Sequence, residues 1–139
     1  MATKADFTED EWKTLQKGVM GAGLLASVSD PDFTDTFGEA GAVAKYLAEQ
    51  REQSDSELIR ELAHVHGSGF GIGTSAQKVE AETLDALRSA ASILAAKAPD
   101  DVAAYRELAV GAAERTAAAK GGVTAAEAST VDKVRQAVA

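Results

Sequence analysis

Near its two ends the chain carries the stretches Ser29-Asp30-Pro31-Asp32-Phe33-Thr34 and Lys120-Gly121-Gly122-Val123-Thr124-Ala125-Ala126-Glu127. Each stretch follows an alanine-rich segment and precedes the start of a new helix, with an apolar residue directly before a threonine. Two helix–turn–helix units at opposite ends of a helical chain predict a pseudo-symmetric bundle. These units do not identify a substrate.

The residues between these units also favour helix. Alanine, leucine, glutamate, glutamine, lysine and arginine dominate, and the chain has only two prolines. Apolar residues recur at helical spacing. They predict helices over residues 8–28, 34–53, 55–66, 75–98 and 100–119, and a last helix that begins near residue 124. The predicted fold class is all-α, a compact bundle of five to seven helices in a single domain over residues 1–139.

Several helix ends carry capping signals. Thr8 and Glu11 form a capping-box pattern, and Phe7 and Trp12 have the spacing of a hydrophobic staple. The other predicted caps are Ser54 or Asp55 for the third helix, a break with a new cap at Pro99-Asp100, and a second capping box of Thr124 and Glu127.

The predicted core of the bundle is rich in small side chains. It includes Trp12, Leu15, Val19, Ala22, Ala26, Phe37, Ala40, Ala44, Leu47, Leu58, Ile59, Leu62, Val65, Leu84, Leu87, Ala91, Leu94, Val102, Tyr105, Ala109, Ala112, Thr116, Ala128, Val131, Val134 and Val138. Gly18, Gly21 and Gly23 lie within the first helix, where each glycine costs about 1 kcal/mol relative to alanine. We interpret them as the place where a second backbone crosses closely, with a functional kink as the alternative.

Composition limits the classes of function. The chain has 139 residues, no cysteine and a net charge of −8, from 22 acidic and 14 basic residues. Thiolate metal sites and cysteine nucleophiles are therefore excluded, and the acidity disfavours a nucleic-acid partner. The longest low-polarity run, residues 18–28, is too short to span a bilayer, which needs about 20 residues. We expect a cytoplasmic protein without membrane insertion.

The two repeated stretches resemble those of the TerB-like family, which includes tellurite-resistance proteins and the N-terminal part of some co-chaperones. The family pattern has Asp-Gly, an apolar residue, Ser or Thr, two spacers and Glu at the start of a helix. The first stretch keeps Asp30 but has Phe37 in the glutamate position, whereas the second keeps Glu127 but has Lys120 in the aspartate position. The resemblance implies a helical fold and an acidic surface that binds divalent cations.

The acidic turn at residues 30–35 is the candidate metal site. Asp30, Asp32 and Asp35, with Glu127 from the second stretch, supply the carboxylate oxygens that hard cations prefer. The spacing begins like a calcium loop but lacks the glycine and the bidentate glutamate that such a loop requires. The alternative is that these acids cap the second helix and interact with its positive end. No other cofactor is predicted.

A glycine-rich stretch at residues 67–74 is predicted to be a flexible loop. Phe70 and Ile72 are its two apolar residues, and His66 precedes it. We predict that these three residues bind a partner, either another protein or a second copy of this chain. In the alternative interpretation, Phe70 and Ile72 fold back into the bundle. An anion at the following helix start is a further alternative.

Catalytic residues are not evident in the sequence. A hydrolase or transferase would need His64 or His66 beside Ser68 or Ser75, and no spacing requires that arrangement. The predicted function is a non-enzymatic protein-interaction module of a bacterial stress type, with weak divalent-cation binding as an optional addition. The alternatives are a structural self-assembling subunit that uses the glycine-rich loop and, third, a small hydrolase or transferase.

Overall fold

The structure is a computed structural model that describes residues 3–28, 36–64, 76–118 and 125–138. Within these ranges, the side chains of residues 26–28, 36–44, 76, 117–118 and 125–127 are not described. The described residues form six α-helices and no strand, which confirms the all-α prediction. The helices are α1 (Glu9–Val28), α2 (Thr36–Gln53), α3 (Glu57–Leu62), α4 (Ala76–Lys97), α5 (Val102–Ala118) and α6 (Ala125–Ala137).

Helix α1 lies at the centre of the bundle, where it packs mainly against α4 and α5. Its buried residues follow the spacing of three and four that places one stripe of a helix against its neighbours: Leu15, Val19, Ala22 and Leu25. Helix α5 contributes the fully buried Ala109, Ala112 and Ala113, whose small side chains allow close helix approach. Helices α2 and α6 both pack mainly on α5, and both also contact α1.

The predicted helix positions are close to those observed, and most predicted core residues are buried. The side chains of Ala26, Phe37, Ala40, Ala44 and Val65 are not among those described. The predictions differ from the structure at four residues and in the length of one helix. Ala128 is exposed on α6. The third helix is shorter than predicted, since it begins at Glu57 and ends at Leu62 rather than spanning residues 55–66. Leu84, Ala91 and Val102 are half-buried rather than buried. Leu84 and Val102 nevertheless pack against the core.

Two predicted caps were wrong. The cap of α3 is Ser56, whose hydroxyl accepts a hydrogen bond from the Ile59 N–H at 3.3 Å, so neither Ser54 nor Asp55 caps this helix. The Ser56 hydroxyl also donates to Asp101 at 2.9 Å, and this tertiary contact is invisible in the local sequence. Before α5 the chain forms a 3-10 turn over Pro99–Asp101 that has no side-chain cap.

The start of α1 is held by the capping box and the staple that the sequence predicts. The Thr8 N–H donates to the Glu11 carboxylate at 2.8 Å, and the Glu11 N–H donates to the Thr8 hydroxyl at 3.1 Å. The rings of Phe7 and Trp12 are buried with centroids 6.0 Å apart. Lys97 adds a partner from α4, because its Nζ lies 2.6 Å from Glu11 Oε1.

This contact makes the first turn of α1 sensitive to acid. The Lys97 hydrogen bond, followed by the Thr8 N–H, holds the pKa of Glu11 below its ordinary value of 4.5. A lowered folded-state pKa stabilises the protein above pH 4.5, and this contribution is lost as the pH falls through the folded-state pKa. Gln can still accept the Thr8 hydrogen bond, so Glu11→Gln removes the charge and keeps the cap.

We therefore expect Glu11→Gln to melt below the wild type at neutral pH, with a difference that disappears in acid. Thermal melts at a series of pH values test this expectation. Glu9→Gln, which alters an exposed carboxylate in the same turn, is the control and should show a smaller difference at neutral pH. A difference for Glu11→Gln that stays constant across the series would contradict the assignment.

Gly18 and Gly21 of α1 are places of close contact, but the contact is made by side chains rather than by a crossing backbone. A Cβ added at Gly18 would collide with the Tyr105 hydroxyl and would lie 3.0 Å from a Leu87 methyl carbon. A Cβ at Gly21 would collide with the buried side chain of Thr83 on α4. Tyr105 is only 1% exposed and donates to the Leu15 carbonyl at 2.7 Å, so its ring lies directly over α1.

Candidate functional site

A groove of about 780 Å³ runs between α2, α5 and α6. It is lined by Tyr46 and Gln50 of α2, by Arg135 of α6, and by six residues on one face of α5. The α5 residues form two rows spaced by four, namely Arg106, Val110 and Glu114, and Glu107, Gly111 and Arg115. Three of the six arginines in the chain line this depression, and we call it the arginine groove.

Tyr46 forms the apolar floor of the arginine groove. Its hydroxyl donates to the Glu107 carbonyl at 3.3 Å, and its ring occupies the space where a Cβ of residue 111 would otherwise lie. Burial raises the pKa of Tyr46, so the hydroxyl remains a neutral donor at physiological pH. Gly111 is therefore required by this contact, just as Gly18 is required by Tyr105.

The arginine side chains are held at the rim by partners from three helices. The Arg115 guanidinium carbon lies 5.2 Å from the centroid of the Tyr46 ring, and its Nη2 lies 3.3 Å from Glu49. Arg135 contacts Glu114 at 3.1 Å and Asp132 at 3.0 Å. The side chains of Arg115 and Arg135 are each 52% exposed. Their guanidinium groups are therefore held in place by these ion pairs and remain accessible to solvent.

Arg106 is held by a backbone group, because its Nε donates to the Val138 carbonyl at 3.1 Å. A guanidinium has five N–H donors, so this bond leaves capacity for a carboxylate ligand. Bidentate pairing of arginine with a carboxylate is among the stronger hydrogen-bonded contacts in proteins. The arrangement can therefore recognise a carboxylate that approaches beside a small apolar group.

A second depression, of about 480 Å³, adjoins the arginine groove and shares Gln50 and Glu107 with it. Its charged lining consists of Asp55, Glu57, Asp100, Asp101 and Glu107, and it includes no lysine or arginine among the described residues. We call it the acidic cleft. The Arg60 Nη1 donates to the Ser54 carbonyl at 2.9 Å nearby.

A third depression, of about 900 Å³, lies beside the start of α1. Its aromatic residues Phe7 and Trp12 are buried, and Lys4 lies 5.8 Å from the Trp12 ring centroid. The exposed His64 lines this depression. The Lys97 Nζ lies 5.9 Å from the Phe7 ring centroid, so a cation lies over each of the two rings.

Most of the predicted site residues lie outside the described residues: Asp30, Asp32, Asp35, His66, Phe70 and Ile72. The segment 67–74 and the candidate serines Ser68 and Ser75 lie outside them as well. Glu127 belongs to α6, but its side chain is not described. The cation site and the loop-mediated contact therefore stay predictions. Within the four described ranges, no group of three or more metal-ligating side chains could hold an ion.

Comparison with known proteins identified no relative of this chain. No family model, curated protein or solved structure matches this chain. In the part of the chain that the structure describes, no helix has both the length and the apolarity needed to cross a membrane.

Sequence reasoning missed the arginine groove because its residues come from three separate helices. Tyr46 and Arg135 contribute to the same depression only after α2 and α6 pack on opposite sides of one α5 face. A local signal does exist, since each of the two rows of α5 carries one arginine and one glutamate, eight residues apart, on one face. That signal is equally typical of a solvent-exposed helix, so it did not distinguish the groove.

Proposed function

We propose that this protein is a non-enzymatic protein-interaction module that binds a carboxylate-bearing segment of a protein in the arginine groove. The observation that carries this proposal is the half-exposed Arg115 guanidinium stacked 5.2 Å from the Tyr46 ring in an open groove. Tyrosine and arginine are enriched among the residues that dominate binding energy at protein interfaces. Their combination offers an apolar surface beside a positioned charge.

The chemistry of the groove indicates the class of segment. Glu49 and Glu114 are the groove's own partners for Arg115 and Arg135, and both contacts are made at the rim. An incoming Asp or Glu can replace or join these carboxylates, because rim contacts are individually weak, typically about 0–1 kcal/mol. An adjacent small or branched apolar side chain would then contact Tyr46 and Val110.

Selection from a displayed library of random peptides tests the proposal. We expect enriched peptides that share an acidic residue next to an apolar one. Replacing both Arg115 and Arg135 with alanine should weaken the best peptide at least tenfold, which is about 1.4 kcal/mol. The affinity is measured by fluorescence polarisation with the labelled synthetic peptide.

Arg88→Ala is the matched control for this experiment. Arg88 is exposed on α4 and, like Arg135, contacts an aspartate three residues earlier, but it lies outside the groove. We expect the control to bind the peptide as the wild type does. Failure to enrich any acidic peptide, or equal binding by the double variant, would overturn the proposal.

The remaining parts of the proposed function come from the sequence. The TerB-like relationship, a role in bacterial stress, a cytoplasmic location and a weak divalent-cation site at Asp30, Asp32 and Asp35 are proposals of this kind. Partner contact through Phe70, Ile72 and His66 is another. None of the residues that line the arginine groove belongs to residues 30–35 or 66–74, so the groove does not depend on the predicted cation site or on the predicted loop contact.

A further inference from the structure

We infer that residues 3–7 form a strap over the start of α1, which opens and closes as one unit while the described helices stay folded. The strap consists of the 3-10 turn Lys4–Asp6 with Thr3 before it and Phe7 after it. None of these residues lines the arginine groove, so the inference goes beyond the proposed function and does not depend on it.

The strap is held together by its own hydrogen bonds. The Thr3 N–H donates to the Asp6 carboxylate at 2.8 Å, and the Asp6 N–H donates to the Thr3 carbonyl at 3.0 Å. The Phe7 N–H donates to the Lys4 carbonyl at 3.2 Å. Because these bonds join residues within the strap, they persist when it leaves the bundle, and the segment moves as one body.

A single side chain anchors the strap in the bundle. Lys4, Ala5 and Asp6 are exposed, and the turn that they form buries no residue. Phe7 is buried, and its ring centroid lies 6.0 Å from that of Trp12. Removing one ring from its place is therefore the main apolar cost of opening.

The remaining contacts of the strap lie at the surface and come from three helices. The Lys4 N–H donates to the Glu61 carboxylate of α3 at 2.7 Å. The Lys4 Nζ lies 5.8 Å from the Trp12 ring centroid, and the Lys97 Nζ of α4 donates to the Asp6 carbonyl at 3.4 Å. Exposed charged contacts are individually weak, because water and salt screen them. Few buried apolar contacts and exposed hydrogen bonds are typical of a segment that opens without global unfolding.

The capping box limits how far the opening extends. Thr8 and Glu11 bond to each other's backbone N–H groups, so the start of α1 is satisfied without the strap. Lys97 also binds Glu11 directly. The opening therefore ends at Thr8. It uncovers Trp12, which is 5% exposed when the strap is closed, beside the depression of about 900 Å³ that the strap helps to line.

Trypsin cleavage after Lys4 in the full chain tests the inference, because the backbone that the protease must bind there is the strap itself. Native-state cleavage follows the population of the open form when closing is faster than cleavage. Initial rates are measured by mass spectrometry and compared with two references. The first is a synthetic peptide of residues 1–10, which reports the open strap. The second is cleavage after the exposed Arg88 within α4, which requires that helix to unfold.

We expect cleavage after Lys4 to be at least about tenfold slower than in the peptide and at least about tenfold faster than cleavage after Arg88. A rate equal to that of the peptide would show that the strap does not close. A rate equal to that after Arg88 would show that it opens only when the bundle unfolds. Either result would overturn the inference.

Glu61→Ala removes the acceptor of the Lys4 N–H and should speed cleavage after Lys4 by at least about threefold, with the rate after Arg88 unchanged. Glu57→Ala is the matched control, because Glu57 lies on the same helix but lines the acidic cleft instead of the depression beside the strap. Phe7→Ala removes the anchor and should give the largest increase. Equal rates after Lys4 in the Glu61→Ala and Glu57→Ala proteins would contradict the assignment of Glu61 as a contact that closes the strap.

Discussion

Replacing Gly18 with alanine is expected to lower the free energy of unfolding by about 2–4 kcal/mol. At an ordinary helix position the same substitution would raise the free energy of unfolding, because alanine is favoured over glycine by about 1 kcal/mol. The added Cβ would collide with the Tyr105 hydroxyl, which is buried and donates to the Leu15 carbonyl. Because Tyr105 is only 1% exposed, its ring has no accessible space to move into.

A double-mutant cycle separates this collision from a general effect on α1. Tyr105→Phe removes the oxygen that the new Cβ would meet, and a Leu87 methyl carbon at 3.0 Å is then the tightest neighbour. Urea melts should show that Gly18→Ala destabilises the Tyr105→Phe protein by at least about 1 kcal/mol less than the wild type. Ala81→Gly, at an exposed position of α4, is the control for ordinary helix propensity. Equal effects in both backgrounds would contradict this account of Gly18.

Gly111→Ala is expected to lower the free energy of unfolding by about 1–3 kcal/mol and also to weaken binding in the arginine groove. Here the new Cβ would collide with the Tyr46 hydroxyl and would lie 2.6 Å from ring carbon Cζ. Tyr46 borders an open groove, so its ring can rotate outward and escape part of the overlap. The expected loss of stability is therefore smaller than for Gly18→Ala. The outward rotation of the Tyr46 ring, however, would move it away from Arg115.

The loss of binding is measured with the peptide selected on the wild type, and we expect at least a tenfold decrease in affinity. Tyr46→Phe is the matched control, because it keeps the ring and the stacking with Arg115 but removes the hydrogen bond to the Glu107 carbonyl. We expect this control to retain most of the affinity. Unchanged binding by Gly111→Ala would show that the Tyr46 ring is not part of the recognition surface.

The start of α1 shows what can be predicted from local sequence. The partners in the capping box lie three residues apart, so Thr8 and Glu11 can be paired without knowledge of the fold. The cap of α3 could not be chosen in this way, because Ser54, Asp55 and Ser56 are all acceptable cap residues. Ser56 is favoured in the structure by its hydrogen bond to Asp101, which is 45 residues away.

The glycines of α1 illustrate an intermediate case. Their cost within a helix indicates that another group approaches closely, and the structure confirms a close approach at Gly18 and Gly21. The sequence could not indicate whether that group is a backbone or a side chain, because both require the same absence of a Cβ. Tyr105 and Thr83 are the groups that approach, and they come from different helices.

The sequence by itself determined the helical class, the approximate helix bounds and most of the buried positions, because these depend on periodicity and on contacts within a few residues. Only the tertiary structure decided that Tyr46, Arg106, Arg115 and Arg135 line one groove and that an acidic cleft adjoins it. The physical reason is that each of these residues is polar or amphipathic and has no periodic signature of burial. Their neighbours are set by how α2 and α6 pack on α5, and that packing depends on many small apolar contacts that no single stretch of sequence contains.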